Sequence, residues 1–146
     1  MQVKSGPWDR ERVETWLMRT VVPLRLATAG KRGPLVQSVW FAFEGDSLWC
    51  ATQASSLLAK RLTGDERVGW EVSPDEPPYR GVRGTGVAEV VTDQVQVQAT
   101  LNTLLARYGQ ANTKLAAWLQ GRIENEVAIR ISQLRVTSWD FSSRMG

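Results

Sequence analysis

Phe41 and Phe43 precede the polar triplet Glu44-Gly45-Asp46, and Leu48 and Cys50 follow it, each pair alternating with other residues. Apolar alternation on both sides of a glycine-bearing turn specifies a β-hairpin. The same period of two recurs at Val68, Trp70, Val72 and at Val127, Ile129, Ile131. A chain written this way has to bury one face of several short strands together. Links of hairpin length between neighbouring strands predict antiparallel pairing. Glycines inside the run Tyr79–Val91, at Gly81, Gly84 and Gly86, predict bends or close backbone approach and closure into a barrel.

Helical spacing surrounds this β pattern. A first helix over Pro7–Thr20 has Asp9 as N-cap and carries Val13, Trp16, Leu17 and Val21 on one face. Strands are expected at Pro23–Ala29, Leu35–Phe43 and Ser47–Gln53. A short helix follows, capped by Ser55 or Ser56, with Leu58 and Leu62 facing the core and Gly64 at its end. Two more strands, Arg67–Ser73 and Tyr79–Val91, precede a helix bearing Val97, Leu101, Leu104, Leu105 and Tyr108, broken at Gly109. Asn112–Gly121 is a further short helix with Leu115, Trp118 and Leu119. The chain closes on a strand pair through Val127–Ile131, its second limb ending at Trp139 and Phe141. The expected architecture is mainly β: a six-stranded antiparallel barrel with peripheral helices, one domain over residues 1–146. Trp40, Trp49 and Trp70 are expected in the core or a dimer interface, and Trp139 near a ligand.

Gly45-Asp46-Ser47-Leu48 spells a motif that marks the nucleophile in one class of serine hydrolases. A serine nucleophile needs a base within hydrogen-bond reach. The chain has no histidine, and no Ser-x-x-Lys follows Ser47, so the letters belong to the hairpin. The single cysteine excludes an internal disulfide, the usual zinc sites and a Cys-His nucleophile. No carboxylates cluster at metal-loop spacing. Chemistry performed here is therefore borrowed from an organic cofactor, with no catalytic side chain and no metal assigned. No apolar run reaches membrane length and no signal core opens the chain, which predicts a cytoplasmic protein without a membrane partner. The net charge of +3 is scattered among acids instead of gathered in a run, which argues against nucleic acid and leaves room for a small anion. The glycines of Tyr79–Gly86 match neither a dinucleotide fingerprint nor a phosphate loop. Arg80 and Arg83, between them, face either a ligand or water.

Trp49–Leu62 is the segment richest in chemistry. A strand runs directly into a serine-capped helix, which aims backbone N–H groups and the positive dipole end at one point, an arrangement suited to phosphate. Thr52, Ser55 and Ser56 add hydroxyls, and Lys60 and Arg61 add charge one turn on. An ordinary N-cap beside solvated basic residues is the competing reading.

The ordered series Arg25–Val72, then Tyr79–Val91, then Leu134–Phe141 resembles the flavin-binding split-barrel proteins related to pyridoxamine 5'-phosphate oxidase, and looks most like the branch with actinobacterial deazaflavin-dependent enzymes. The resemblance implies an FMN-binding type of split β-barrel that pairs as a homodimer, with each cofactor in a groove between subunits. It implies that backbone around Ser38, Val39 and Trp40 meets the flavin-like ring. It implies that Thr52, Ser55, Ser56 and the neighbouring Lys60 and Arg61 hold the phosphate; Arg80 and Trp139 are expected as further cofactor contacts from the reading of their own segments. The cofactor the resemblance implies is FMN or the deazaflavin coenzyme F-420, serving hydride transfer to a small organic substrate. One position departs from the pattern: the family's lysine, two residues after the serine matching Ser56, is Leu58 here. Either Lys60 or Arg61 takes over its charge or amides and hydroxyls hold the phosphate alone. Without either, the chain is a non-catalytic binder of a planar anion.

Overall fold

The computed structural model describes residues 1–146. The elements follow in the order β1 (Gln2–Ser5), α1 (Arg10–Arg19), β2 (Leu24–Thr28), β3 (Leu35–Val39), β4 (Ala42–Glu44), β5 (Ser47–Gln53), α2 (Leu57–Gly64), β6 (Arg67–Val72), β7 (Arg80–Val91), α3 (Gln94–Arg107), α4 (Lys114–Gln120), β8 (Glu126–Asp140) and α5 (Ser142–Met145), with a 3-10 turn at Ile123–Asn125 before β8. Seven strands form one antiparallel sheet in the order β3-β2-β6-β7-β8-β5-β4, and β1 lies parallel to β8. The ends of that path, β3 and β4, are consecutive in the chain with only Trp40 and Phe41 between them, so the sheet has to curl back on itself.

Alternation does the sorting. Leu24 and Leu26 of β2, Val68, Trp70 and Val72 of β6, and Ile129 and Ile131 of β8 all point into one core, which Leu48, Cys50 and Phe41 complete. α1 closes one side with Val13 and Leu17, both fully buried. Its cap is the expected one: the Asp9 side chain accepts from the Arg12 amide. In the β4–β5 turn, Gly45 and Asp46 have φ of 57° and 64°, the pair of left-handed residues that a tight two-residue hairpin requires.

Four expectations need correction. The strands number eight, not six, and one pair is parallel; β1 is too short and polar to show a period. Leu35–Phe43 is two strands: the chain leaves β2 after Val39 and pairs with β5 from Ala42. The closing strand pair is one continuous strand, β8, kinked at Gln133 (φ 53°) where β7 carries its register shift around Gly86. In α4 the buried residue is Ala116, while Leu115 and Trp118 are exposed. Of the three tryptophans expected in the core or a dimer interface, Trp70 lies in the core; Trp8, not expected there, is 3% exposed.

β7 owes its curvature to close contacts that only glycine permits. A Cβ on Gly84 would run into the Arg135 carbonyl oxygen and lie 3.0 Å from Trp70 Cζ2, whereas one on Gly69 would meet nothing nearer than 3.7 Å. Gly84→Ala is therefore expected to lower stability by about 2 kcal/mol or more, from overpacking against backbone. Gly69→Ala is expected to stay within about 1 kcal/mol of the parent. Urea unfolding midpoints of the two variants check this.

Candidate functional site

The split of the barrel lies where β3 and β5 part. Ala42 pairs with Trp49, and continuing that ladder two residues back would set Trp40 beside Ala51 and Val39 beside Thr52. Pairing stops instead. The Phe41 amide is taken by the Tyr108 hydroxyl at 3.2 Å, which itself donates to the Val22 carbonyl at 2.8 Å. Trp40 stacks on Tyr108, with ring centroids 4.8 Å apart and planes within 5°, and packs against the small cluster of Leu101, Leu105 and Ala116. Backbone at Ser38–Trp40 thus makes no ladder with the Thr52 end of β5.

At that end α2 begins. Thr52 Oγ1 donates to Ser56 Oγ at 3.0 Å, and Ser56 Oγ accepts from the Ala59 amide at 3.1 Å. Ser56, not Ser55, is the cap. Its hydroxyl still has a proton to give, and the Leu57 and Leu58 amides have no acceptor within the chain. Three donors therefore converge at the positive end of a helix, as an anion needs.

The structure divides the other expected phosphate ligands. Lys60 is exposed one turn along α2. Arg61 is bound already: its Nη1 donates to the carbonyls of Gly33 at 3.2 Å and Thr28 at 3.5 Å, holding the β2–β3 loop onto α2. Gly30 is packed so tightly on this guanidinium that a Cβ would overlap it. Leu58 is 2% exposed, within the barrel core, so that position supplies no surface group at all.

Ser38 and Trp139 share the outer face of the sheet but not one spot. Registers align Ser38, Arg25, Glu71, Arg83 and Thr137 in one row, and Val36, Ala27, Gly69, Thr85 and Arg135 in the next. These rows floor a trough of about 710 Å³ whose cations, Lys4, Arg25, Arg83 and Arg135, face a single carboxylate, Glu71. Only Arg25 makes an ion pair, with Asp75 at 3.4 Å. Trp139 lies beyond the trough with Arg83 over its ring at 5.2 Å. Ser38 and Trp139 stand four strands apart, about 19 Å along the sheet. Arg80 points elsewhere, over Trp16 at 5.7 Å. Sequence reasoning did not find the trough. Its signal is there in Arg83-x-Thr85 and Arg135-x-Thr137, but it takes the register to show that they meet.

Cys50 is fully buried, and burial pushes its thiol up to about 12; no group of acids, histidines or cysteines forms a metal site. No helix is long and apolar enough to cross a membrane.

The model of one protein family, described as pyridoxamine 5'-phosphate oxidase, matches residues 9–145. The chain belongs to that family. Among solved structures it is similar to the conserved hypothetical protein Rv2991 of Mycobacterium tuberculosis, with a TM-score of 0.80 and 25% identity over 96% of this chain and 89% of that one. A structure named F420 reductase aligns with a TM-score of 0.67 and 26% identity, covering 82% of this chain and 90% of that one. A FAD-binding protein of Mesorhizobium loti shares the fold alone, at 17% identity and a TM-score of 0.67, over 90% and 93% of the two chains. A search of curated proteins gave no match.

For this member of the pyridoxamine 5'-phosphate oxidase family, one acid near the cap matters electrostatically. Glu126 pairs across the ladder with Gln53, is 3% exposed, and has Arg122 Nε 3.8 Å away as its one ionic neighbour. Burial raises its pKa and Arg122 only partly opposes this. A carboxyl with a raised folded pKa holds its proton more tightly folded than unfolded. The native state therefore gains as pH falls from neutral through the carboxylate range and loses as pH rises. Glu126→Gln is expected to raise stability at neutral pH and to flatten the pH dependence between neutrality and about pH 4.5. Urea titrations at both ends of that window measure it.

Proposed function

We propose that the chain is a flavin- or deazaflavin-dependent oxidoreductase, taking FMN or coenzyme F-420 and passing hydride to or from a small organic substrate. One observation carries this reading: the unpaired gap between Ser38–Trp40 and Thr52 opens onto a helix start with three free donors. A flat ring with a phosphate tail fits that shape, ring along the β3 backbone and phosphate at the cap. The fit at the phosphate rests on the Ser56 hydroxyl and the Leu57 and Leu58 amides, with Lys60 exposed one turn along α2; Arg61 serves the β2–β3 loop. When bound, the cofactor supplies the hydride chemistry and the protein supplies position and field. The trough beside Ser38, with cations in excess, favours an anionic substrate. Family membership and the likeness to an F420 reductase support the same class.

The reading includes a homodimer. Trp139 lies too far from Ser38 to touch the same ring within one protomer, so it reaches a cofactor only from a second copy. The buried Leu58 favours one other reading, a non-catalytic binder of a planar anion.

Titrating the protein with FMN and with coenzyme F-420, following cofactor fluorescence, tests both. Saturable binding of one cofactor, followed by turnover with a hydride donor, is the expected result. Ser56→Ala with Lys60→Ala is expected to weaken that binding about tenfold or more while the fold survives, since charge-assisted contacts are worth about 1.5–3 kcal/mol. Binding without any turnover would leave the non-catalytic reading standing, and binding of neither would end the flavin assignment. Sedimentation is expected to show a dimer; a monomer with full affinity would refute the shared groove.

A further inference from the structure

A second cavity, of about 380 Å³, lies between α3 and the β4–β5 hairpin, and the cofactor reading makes no use of it. It is separate from the α2 cap: Trp49 in its wall and Gln53 beside the cap are four residues apart on β5, about 13 Å. On the sheet side Ala42, Trp49 and Arg130 stand in one cross-strand row. Glu89 is next in that row, yet it forms no ion pair with Arg130. The Arg130 side chain turns the other way, its guanidinium 5.9 Å from the Trp49 ring centre and its Nε donating to Ser47 Oγ at 3.2 Å. Ser47 is 1% exposed. The serine that spells a nucleophile is the fixed point against which an arginine is held, and the two terminal nitrogens of that arginine have no partner in the chain.

The helix side is polar too. Gln96, Thr100 and Thr103 follow one stripe of α3, beside the apolar stripe of Val97, Leu101 and Leu104. Thr100 is buried, and its hydroxyl accepts from Gln96 Nε2 at 3.1 Å, which leaves its own proton to donate into the cavity. Glu44, at the hairpin end, lines the same space and makes no ion pair. One wall therefore carries a positive charge and another a negative one. No ion pair joins the two, and the Trp49 ring and Thr100 line the same cavity.

We propose that this cavity binds a small zwitterion, an α-amino acid, with its carboxylate on Arg130 and its ammonium toward Glu44. The guanidinium edge matches a carboxylate fork. A plain carboxylate of the same size meets repulsion from Glu44, and a plain amine meets it from Arg130, so only a ligand with both charges satisfies the two walls. The volume lies at the small end of ligand sites, about 300–1,000 Å³, which suits a single amino acid and not a peptide.

Indole N–H signals in a proton–nitrogen NMR spectrum test this, with Trp49→Phe assigning the Trp49 resonance. Glycine, L-valine and L-glutamine are titrated, then isovalerate and isobutylamine as the one-charge counterparts of valine. Expected is a saturable shift of the Trp49 signal by an amino acid in the millimolar range, with isovalerate and isobutylamine about tenfold weaker or worse. Glu44→Gln and Arg130→Gln are each expected to weaken the amino acid by about tenfold or more, while the other six indole signals keep their positions and report an intact fold. No saturable Trp49 shift by any of the three amino acids overturns the proposal. So does isovalerate or isobutylamine binding as well as valine, or undiminished binding in both variants.

Discussion

The ladder between β7 and β8 is the constraint on which the rest depends. These two strands, 12 and 15 residues long, pair over nearly their whole length, and every other strand of the sheet is reached from one of them. Strands this long, left flat, could not enclose a core. The bend comes at Gly84, where the Arg135 carbonyl of β8 leaves no room for a side chain, at Gly86, which the Ile131 side chain closes off, and at Gln133, where the partner strand answers with a left-handed residue. A bulge that sets Gln133 and Leu134 of β8 against the single Gly86 of β7 increases twist and turns the strand. From that bend follow the curl of the sheet, the meeting of its ends at Trp40–Phe41 and the gap that forms the candidate cofactor site.

The β elements were legible because their signal is local. Alternation with a period of two fixed which residues of β2, β6 and β8 face inward, and the turn at Gly45-Asp46 could be read from its two residues. The cap was narrowed to Ser55 or Ser56 for the same reason, and the structure chooses Ser56. What stayed hidden depends on partners distant in sequence. The split of Leu35–Phe43 into β3 and β4 hinges on Tyr108, far along the chain, taking the Phe41 amide. Leu115 and Trp118 look like a core stripe, yet Ala116 is the residue α4 turns inward. Arg61 reads as a phosphate ligand and proves to be a clasp on the β2–β3 loop, a role visible only once Gly33 is known to lie beneath it.

The basic surplus of the chain takes two physical forms. Arg61, Arg107 and Arg130 are held by neutral oxygens, carbonyls or a hydroxyl, so they give structure while keeping their full charge. Arg83, Arg135 and Lys4 have no carboxylate partner and project into one trough. The basic surplus thus divides in two: part serves as internal hydrogen-bond donors, and part is concentrated where a small anion would feel it at short range.

Arg107 and Tyr108 sit side by side at the end of α3. Arg107 donates to the carbonyls of Leu17, Met18 and Thr20, the last turn of α1, at 2.6 to 3.0 Å. Tyr108 bonds Val22 and Phe41 and carries the Trp40 ring. One helix terminus thereby rivets the N-terminal helix and the lip of the barrel opening into a single rigid collar. The mouth can widen only if α1, α3 and the β3–β4 joint shift together, so its gauge is set by helix docking and not by the sheet that forms its walls.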